Sequence, residues 1–474
     1  MSDASLNRCL DALQRADLHA RQGRVSNLIG LIVEVTGLEP EVGELCLVET
    51  GRHSAPVPAE VVGFRDARTL LMPLGEMHGI GPGNTVIATG EHLQITVGDE
   101  LLGRVVDALG RPIDGLDDDI WGQRRSTLAP PPSPLERPPI DERIALGVRA
   151  LDALVPCGRG QRLGIFSGSG VGKSSMLGMI ARSTSADINV IALVGERGRE
   201  VREFVDRNLD EVARERTVVV AATSDQPALL RIKAAFTATA IAEHFRDKGL
   251  DVMLMMDSVT RFAMAQRELG LAIGEPPATR GYTPSVFALL PKLLERSGTS
   301  AKGSITGLYT VLVDGDDMNE PIADAVRAIL DGHVVLSRDL AHAGHYPAID
   351  VLQSVSRLVG EVVSPEVRQA GMELRRLMAA LRDKGDLISI GAYQPGSDPV
   401  VDAALAKQEA IERFLRQSVD YSSTAAEADN GLLALVADAF VEGPPELEPG
   451  EVDEHALPAV PSGTSAIPPL HLSV

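Results

Sequence analysis

Short apolar runs alternate with helix-compatible stretches between residues 145 and 359. The runs are RLGIF, INVIALVG, RTVVVAA, DVMLMMD and LYTVLV. Runs that are apolar at nearly every position are typical of parallel strands covered on both faces. Their alternation with helices predicts a parallel sheet between two layers of helices, which is an α/β fold.

The segments on either side of this region have different patterns. From Val25 to about Gly90, short β-rich runs such as LIGLIVEV and ELCLVE are separated by Gly, Pro and charged turns, which predicts a small β-barrel or, as the alternative, a sandwich. Residues 128–139 (LAPPPSPLERPP) hold six prolines and predict an extended connector. After Ser364, helix formers dominate and predict a helical C-terminal domain.

The two ends of the chain carry no such core pattern. Near the N-terminus, apolar residues recur at helical spacing, which predicts an amphipathic helix that either packs on its own domain or docks a partner; they are Leu6, Cys9, Leu10, Leu13 and Leu18. Residues 441–474 contain seven prolines, six acidic residues and no Lys or Arg. We expect that segment to be disordered, because it can bury little apolar area.

These patterns divide the chain into five predicted segments. They are an amphipathic N-terminal helix for partner docking at 1–22, a β-barrel at 23–92, an α/β domain at 93–370, a helical domain at 371–440, and an acidic, Pro-rich tail at 441–474. A length of 474 residues also requires several domains, because single cores stop growing at about 250–300 residues.

Composition bears on whether the protein binds nucleic acid and on the cellular compartment that we expect. Acidic residues exceed basic ones by 21, and aromatic residues make up only 3% of the chain, so neither phosphate backbones nor stacked bases are favoured ligands. The three cysteines are widely spaced with no CxxC pair, which indicates neither a disulfide framework nor a zinc site. With no signal peptide and no run of about 18 apolar residues, we expect a cytoplasmic protein.

The strongest chemical signal is the loop that follows the apolar run LGIF. It comprises Ser167, Gly168, Ser169, Gly170, Val171, Gly172, Lys173, Ser174 and Ser175. A strand, a Gly-rich loop and a helix in this order form a P-loop: backbone N–H groups converge on phosphates, Lys173 reaches the β- and γ-phosphates, and Ser174 ligates Mg²⁺. The strict pattern has Gly where this chain has Ser167. The motif predicts a magnesium-dependent ATPase.

Two further strands end in carboxylates. Asp257 follows the run VMLMM and is the candidate for the second Mg²⁺ contact, the alternative being a helix cap. Glu196 and Arg197 follow the run INVIALVG, at the sheet edge where ligands of such folds bind. Glu196 is the candidate that activates the attacking water, the alternative being a solvated surface charge.

Long motifs extend this interpretation to a known family. GRVVDALGRPIDG, GRGQRLGIFSGSGVGKS, VGERGREV, MMDSVTRFAMAQRE and PAIDVLQSVSR resemble the hexameric ATPases related to rotary ATP synthase heads, over about residues 23 to 440. GEPPATRGYTPSVF and GAYQPGSDPVVDAAL resemble flagellar type III protein-export ATPases more than the virulence-secretion or synthase branches. Members of the family usually have Ala at the position of Ser167.

The resemblance implies further roles and partners. It implies that Arg197 lies near the catalytic carboxylate, that Tyr346 is the aromatic residue that packs on adenine, and that Arg357 is an arginine finger for the next subunit. Without the resemblance, the sequence would favour a core position for Tyr346 and an ion pair for Arg357. It implies a homohexamer at the inner face of the cytoplasmic membrane. The implied partners are a stator-like regulator, a central stalk protein, chaperone–cargo complexes and a membrane export gate.

Three other functions remain open. A virulence type III secretion ATPase shares all the motifs above. An RNA-translocating ring ATPase shares the core, but the acidic balance and sparse aromatic residues disfavour nucleic acid. A non-catalytic scaffold would lack the catalytic carboxylate, and the presence of Glu196 disfavours that reading.

Overall fold

A computed structural model describes residues 21–51, 55–116, 120–313, 315 and 317–437. The predicted N-terminal helix, except for residues 21 and 22, and the predicted disordered tail lie outside the described residues. Among the described residues, no helix is both long enough and apolar enough to cross a membrane.

The first six strands form a closed barrel. They are β1 Gln22–Ile29, β2 Ile32–Thr36, β3 Glu44–Val48, β4 Val57–Arg65, β5 Arg68–Pro73 and β6 Thr85–His92, joined in the order β1-β2-β5-β4-β3-β6. Alternate residues such as Val33, Val35, Val61 and Leu71 point inward and are fully buried. The barrel predicted from the short β-rich runs is confirmed, and the sandwich is excluded.

A sheet of nine strands forms the centre of the molecule. Its strands are β8 Val105–Val106, β12 Arg162–Ser167, β13 Ile188–Glu196, β14 Thr217–Thr223, β15 Asp251–Asp257, β16 Gly298–Thr299, β17 Ser304–Leu312, β18 Gly332–Leu336 and β19 Ile349–Ser356. The spatial order is β19-β18-β12-β17-β15-β13-β14-β8, with β16 paired to β17. All pairs are parallel except β18–β19 and β16–β17.

Thirteen α-helices are present in the described residues, most of them against this sheet. They are α1 Arg149–Leu154, α2 Lys173–Ser183, α3 Gly198–Glu203, α4 Glu211–Glu215, α5 Ala228–Asp247, α6 Val259–Ile273, α7 Pro284–Leu294, α8 Pro321–Ile329, α9 Arg338–His342, α10 Val359–Val362, α11 Pro365–Ser389, α12 Pro399–Leu415 and α13 Ala425–Val436. Successive strand residues such as Ile165 and Phe166 belong to separate apolar clusters on the two faces. The predicted α/β fold and helical C-terminal region are confirmed.

Short strands and ion pairs connect these parts. Two small antiparallel sheets of two strands each are also present, β7 Gln94–Val97 with β9 Gln123–Ser126 and β10 Arg143–Ile144 with β11 Cys157–Gly158. Buried Lys233 of α5 lies 2.5 Å from Glu60 of the barrel. Arg143 pairs with Asp429 of α13 at 2.9 Å. A charged contact therefore joins the barrel to helix α5, and another joins the helical region to strand β10.

Candidate active site

The P-loop connects β12 to α2 at the carboxyl edge of the sheet. Gly170 and Gly172 have φ values of +79° and +91°, a conformation that side chains rarely adopt, so both positions require glycine. Ser167 is different: it is the last residue of β12, pairs with Leu312 and is buried. Because Ser167 has extended strand geometry, the glycine of the strict motif is unnecessary there.

An open cavity of about 430 Å³ lies over this loop. Its floor is formed by the loop and the first turn of α2, with Gly168, Ser169, Gly170, Gly172, Lys173, Ser174 and Ser175. The N–H groups of that first turn have no helical partner, and the positive end of the helix dipole faces the same space. The cavity is therefore suited to an anion with several phosphates.

Three predicted residues meet at one wall of this cavity: Lys173 and Glu196 line it, and buried Asp257 lies behind them. The ammonium of Lys173 lies 2.5 Å from Oδ1 of Asp257 and 3.8 Å from Oε1 of Glu196. Asp257 is the last residue of β15 and Glu196 the last of β13, and these strands are neighbours. The hydroxyl of Thr310 also donates to Oδ1 of Asp257, at 2.7 Å. The sheet thus brings both carboxylates to the lysine.

The environment of Glu196 favours its neutral form. Burial raises its pKa to about 7, helped by the charge of Asp257 and by a hydrogen bond with Glu200, while Lys173 and Arg261 act in the opposite direction. The same hydrogen bond lowers the pKa of Glu200. A carboxylate with a pKa close to neutral can accept a proton from water more effectively than an ordinary glutamate.

Arg261 is a site residue that the sequence reasoning missed. It lies in the first turn of α6, and its guanidinium is 3.1 Å from one carboxylate oxygen of Glu196 and 3.4 Å from the other. A side chain on Gly195 would come within 2.9 Å of Arg261, so the glycine before Glu196 leaves room for this contact. The available signal was its position four residues after Asp257, which places it in the turn next to the site.

Arg197 lies at the rim of the cavity. Its side chain is 74% exposed and pairs with Glu200 at 3.5 Å. The structure therefore places it beside the carboxylate pair but leaves its guanidinium largely in solvent.

Tyr346 lies on the other side of the P-loop. It lines a smaller cavity of about 80 Å³ together with Val171, Gly172, Pro347 and Val419. A side chain on Gly172 would lie 3.6 Å from the Tyr346 ring, so the ring borders the loop closely, and it is 45% exposed. A flat base attached to phosphates in the larger cavity could stack on this ring.

Arg357 is remote from the other predicted residues. Strand β19 runs antiparallel to β18, so its last residue, Ser356, pairs with Gly332 at the start of β18. Arg357 therefore lies at the amino edge of the sheet, whereas the P-loop lies at the carboxyl edge. The six-residue β12 separates these edges by about 15–20 Å. The exposed Arg357 side chain faces away from its own phosphate cavity.

The donor set fits magnesium rather than a metal held wholly by protein. In the parts of the chain that the structure describes, no group of three or more His, Cys, Asp or Glu side chains could hold an ion. The cavity instead offers the hydroxyl of Ser174, and the buried carboxylate of Asp257 lies next to it in the structure, in contact with the ammonium of Lys173. Mg²⁺ is commonly held by one or two such oxygens, with phosphates and water completing its shell.

Comparisons with known proteins agree with this geometry. Residues 147–356 match the ATP synthase alpha/beta family, nucleotide-binding domain; residues 25–90 match its beta-barrel domain; and residues 363–434 match the T3SS EscN ATPase C-terminal domain. A flagellum-specific ATP synthase of Bacillus subtilis is 52% identical over 427 residues, covering 90% of this chain and 98% of the relative.

Two solved structures of a type III secretion ATPase are also similar to this chain. The assembled ATPase EscN from the enteropathogenic E. coli type III secretion system matches with a TM-score of 0.83 and 46% identity, covering 87% of this chain and all of that one. EscN in complex with its central stalk EscO matches with a TM-score of 0.81 and 45% identity, with the same coverage.

Proposed function

The chain belongs to the family of flagellum-specific ATP synthases and type III secretion ATPases, and from that membership we propose that its ATPase activity energises flagellar protein export. The cycle would release cargo from export chaperones and help to unfold it. The observation that carries the catalytic part is the contact among Lys173, Asp257 and Glu196 over the P-loop.

Binding of ATP follows from the two cavities. The loop N–H groups and Lys173 would hold the phosphates, and the Tyr346 ring would stack on the adenine. Ser174 and Asp257 would hold Mg²⁺, which when bound neutralises charge on the phosphate oxygens. On phosphate binding, Lys173 would exchange part of its contact with Asp257 for the β- and γ-phosphates.

Hydrolysis requires a base and charge stabilisation. Glu196 would accept a proton from a water molecule as the water oxygen attacks the γ-phosphorus, while the bond to the β,γ-bridging oxygen breaks and ADP leaves. Arg261 would hold the carboxylate in place, because it contacts both of its oxygens. Lys173 would stabilise the negative charge on the transferring phosphoryl group.

Arg357 would complete this site from a neighbouring subunit. Its position at the sheet edge opposite the P-loop prevents it from acting within its own chain. One chain that carries both a site and a remote finger forms head-to-tail contacts, and such contacts close into rings. We infer a ring of six, from the resemblance and from the assembled form of EscN.

The partners of this chain are inferred from its similarity to EscN and to the flagellar ATPases. The EscN complex contains a central stalk protein, and we infer an equivalent stalk for this chain. A stator-like regulator, chaperone–cargo complexes and a membrane export gate are proposed from family resemblance, as is a location at the inner face of the cytoplasmic membrane. A virulence type III secretion ATPase is the second candidate, because EscN is similar over most of the chain.

Mixing two inactive variants tests the finger. Glu196→Gln loses the base but keeps Arg357, whereas Arg357→Ala loses the finger but keeps the base. Arg357→Ala alone should lower turnover by about 10³-fold. In mixed rings a Glu196→Gln subunit can supply its arginine to an Arg357→Ala site, so activity should partly return. If mass measurement shows mixed rings and activity stays at the parental level, Arg357 does not act in trans.

Complementation tests the choice of pathway. The gene should restore swimming and export of flagellar proteins in a bacterium that lacks its own flagellar ATPase, and Lys173→Ala should not. Restoration of virulence secretion alone would favour the second candidate.

A further inference from the structure

Gln161 is a buried amide that the mechanism above leaves unused. Its side chain is fully buried at the amino edge of the sheet, directly before β12. The amide oxygen accepts the N–H of Gly158 at 2.7 Å. The amide nitrogen donates to the carbonyl of Asp331 and to the hydroxyl of Ser356, each at 3.1 Å. One side chain therefore joins three separate segments.

Two of these contacts meet at the base of Arg357. The carbonyl of Asp331 that accepts from Gln161 also accepts the backbone N–H of Arg357, at 3.0 Å. Ser356, the other acceptor, is the residue immediately before Arg357. The backbone at the base of the finger is thus fixed on both sides by Gln161, while the guanidinium stays exposed.

The same cluster is connected to the strand that leads to the P-loop. The carboxylate of Asp331 accepts from the guanidinium of Arg162, the first residue of β12, at 3.0 and 3.2 Å. The backbone N–H of Asp331 donates to the carbonyl of Arg162 at 2.9 Å. Because Gln161 and Arg162 are adjacent, the start of β12 and the base of the finger form one hydrogen-bonded unit.

We propose that Gln161 is a positioning residue for Arg357, which it holds at the orientation needed to reach the neighbouring subunit's phosphate site. This inference rests on the proposed action of Arg357 in trans. Loss of the amide would let the end of β19 shift. A displacement of about 1 Å at a catalytic group can cost about 10²-fold in rate. The subunit's own nucleotide cavity, at the other edge of the sheet, would be unaffected.

The inference predicts a specific kinetic defect. Gln161→Leu removes all three side-chain contacts, and Gln161→Glu keeps the acceptor for Gly158 but loses the amide donor. Both should lower kcat by about tenfold to a hundredfold while leaving KM for ATP nearly unchanged. Asn189→Asp is the matched control. Asn189 is equally buried at the amino end of β13, and its amide also donates to a carbonyl and a hydroxyl. Neither of these two acceptors contacts the base of Arg357.

Subunit mixing separates positioning from a general loss of stability. Gln161→Leu has an intact phosphate site and a misplaced finger, so Glu196→Gln should rescue it through its own Arg357. In random rings, about a quarter of the interfaces would combine an intact site with an intact finger. Arg357→Ala should not rescue Gln161→Leu, because neither partner supplies a working finger. Ser356→Ala, tested in the same pairs, serves if Gln161→Leu does not fold.

Each outcome bears on the proposal. Rescue by Glu196→Gln but not by Arg357→Ala supports it, provided that Asn189→Asp shows no such difference. Full activity of the Gln161 variants, or equal results with both partners, overturns it. If the mixture of Glu196→Gln with Arg357→Ala also fails to recover activity, Arg357 does not act in trans, and the proposed role of Gln161 is refuted with it. If that mixture recovers activity but the Gln161→Leu mixture does not, only the role of Gln161 is refuted and the proposed function is unaffected.

Discussion

The raised pKa of Glu196 predicts how turnover depends on pH. The pKa is about 7, compared with an ordinary value of 4.5. A general base acts only when it is ionised, so kcat/KM should rise as pH increases through the pKa. With a pKa near 7, about a tenth of Glu196 is ionised at pH 6 and about nine tenths at pH 8, so kcat/KM should rise by about tenfold between these pH values. With a pKa of about 4.5, kcat/KM would be almost constant over that range.

The substitution Arg261→Gln tests this prediction by changing the pKa of Glu196. Arg261 contacts both oxygens of Glu196 and favours the charged form. Its removal should therefore move the acid limb of the profile to higher pH, in addition to lowering the maximum rate. The carboxylate would still face Asp257, whose negative charge already raises the pKa of Glu196.

The assay is kcat/KM for ATP from pH 5.5 to 9, at constant ionic strength with Mg²⁺ in excess. Phosphate groups also ionise near pH 6, but that titration is common to every variant, so the difference between variants isolates Glu196. Glu196→Gln gives the baseline. A flat wild-type profile between pH 6 and 8, or equal midpoints for wild type and Arg261→Gln, would refute the assignment of Glu196 as a base with a raised pKa.

Substitutions at three other contacts give further tests. Lys173→Ala should abolish turnover and weaken nucleotide binding measured by calorimetry, since it removes the cation that faces the phosphates; wild-type affinity would contradict this. Tyr346→Ala should raise KM for ATP by about tenfold with a smaller effect on kcat, as expected for loss of base stacking, whereas Tyr346→Phe should not. Lys233→Met should lower stability by about 3–5 kcal/mol because Glu60 is left buried without its partner, and Lys233→Met with Glu60→Leu should recover much of it in thermal melts. Equal melting of the single and double variants would show that the pair is not coupled.

Local pattern was sufficient to predict the sheet and the P-loop. The runs around Ile165, Ile191 and Leu254 are apolar because their strands are covered on both faces, and that requirement is visible in the sequence. The strand-loop-helix order predicts that Lys173 begins the helix after the loop, and Lys173 is the first residue of α2. The carboxylates Glu196 and Asp257 could be placed at one edge because parallel strands end together.

Features that depend on strand order could not be predicted in this way. The reversal of β19 decides that Arg357 lies opposite its own P-loop, yet Ile349–Ser356 has no sequence feature that distinguishes an antiparallel edge strand from a parallel one. The contact between Arg261 and Glu196 requires β13 and β15 to be neighbours, although Arg261 follows Glu196 by 65 residues in the chain. The roles assigned to the site residues and the domain boundaries remain predictions.

The closed barrel limits how neighbouring subunits can meet. Each of its six strands is paired on both sides, so this domain offers no free backbone ladder to another chain. Contacts between barrels must then be made by side chains and by the loops between strands. Such contacts can be broken and remade without loss of the hydrogen bonds between the barrel's strands, and their strength can be changed one residue at a time. A ring built in this way can come apart and reassemble with every barrel intact, and each barrel is protected from pairing with the strands of another barrel.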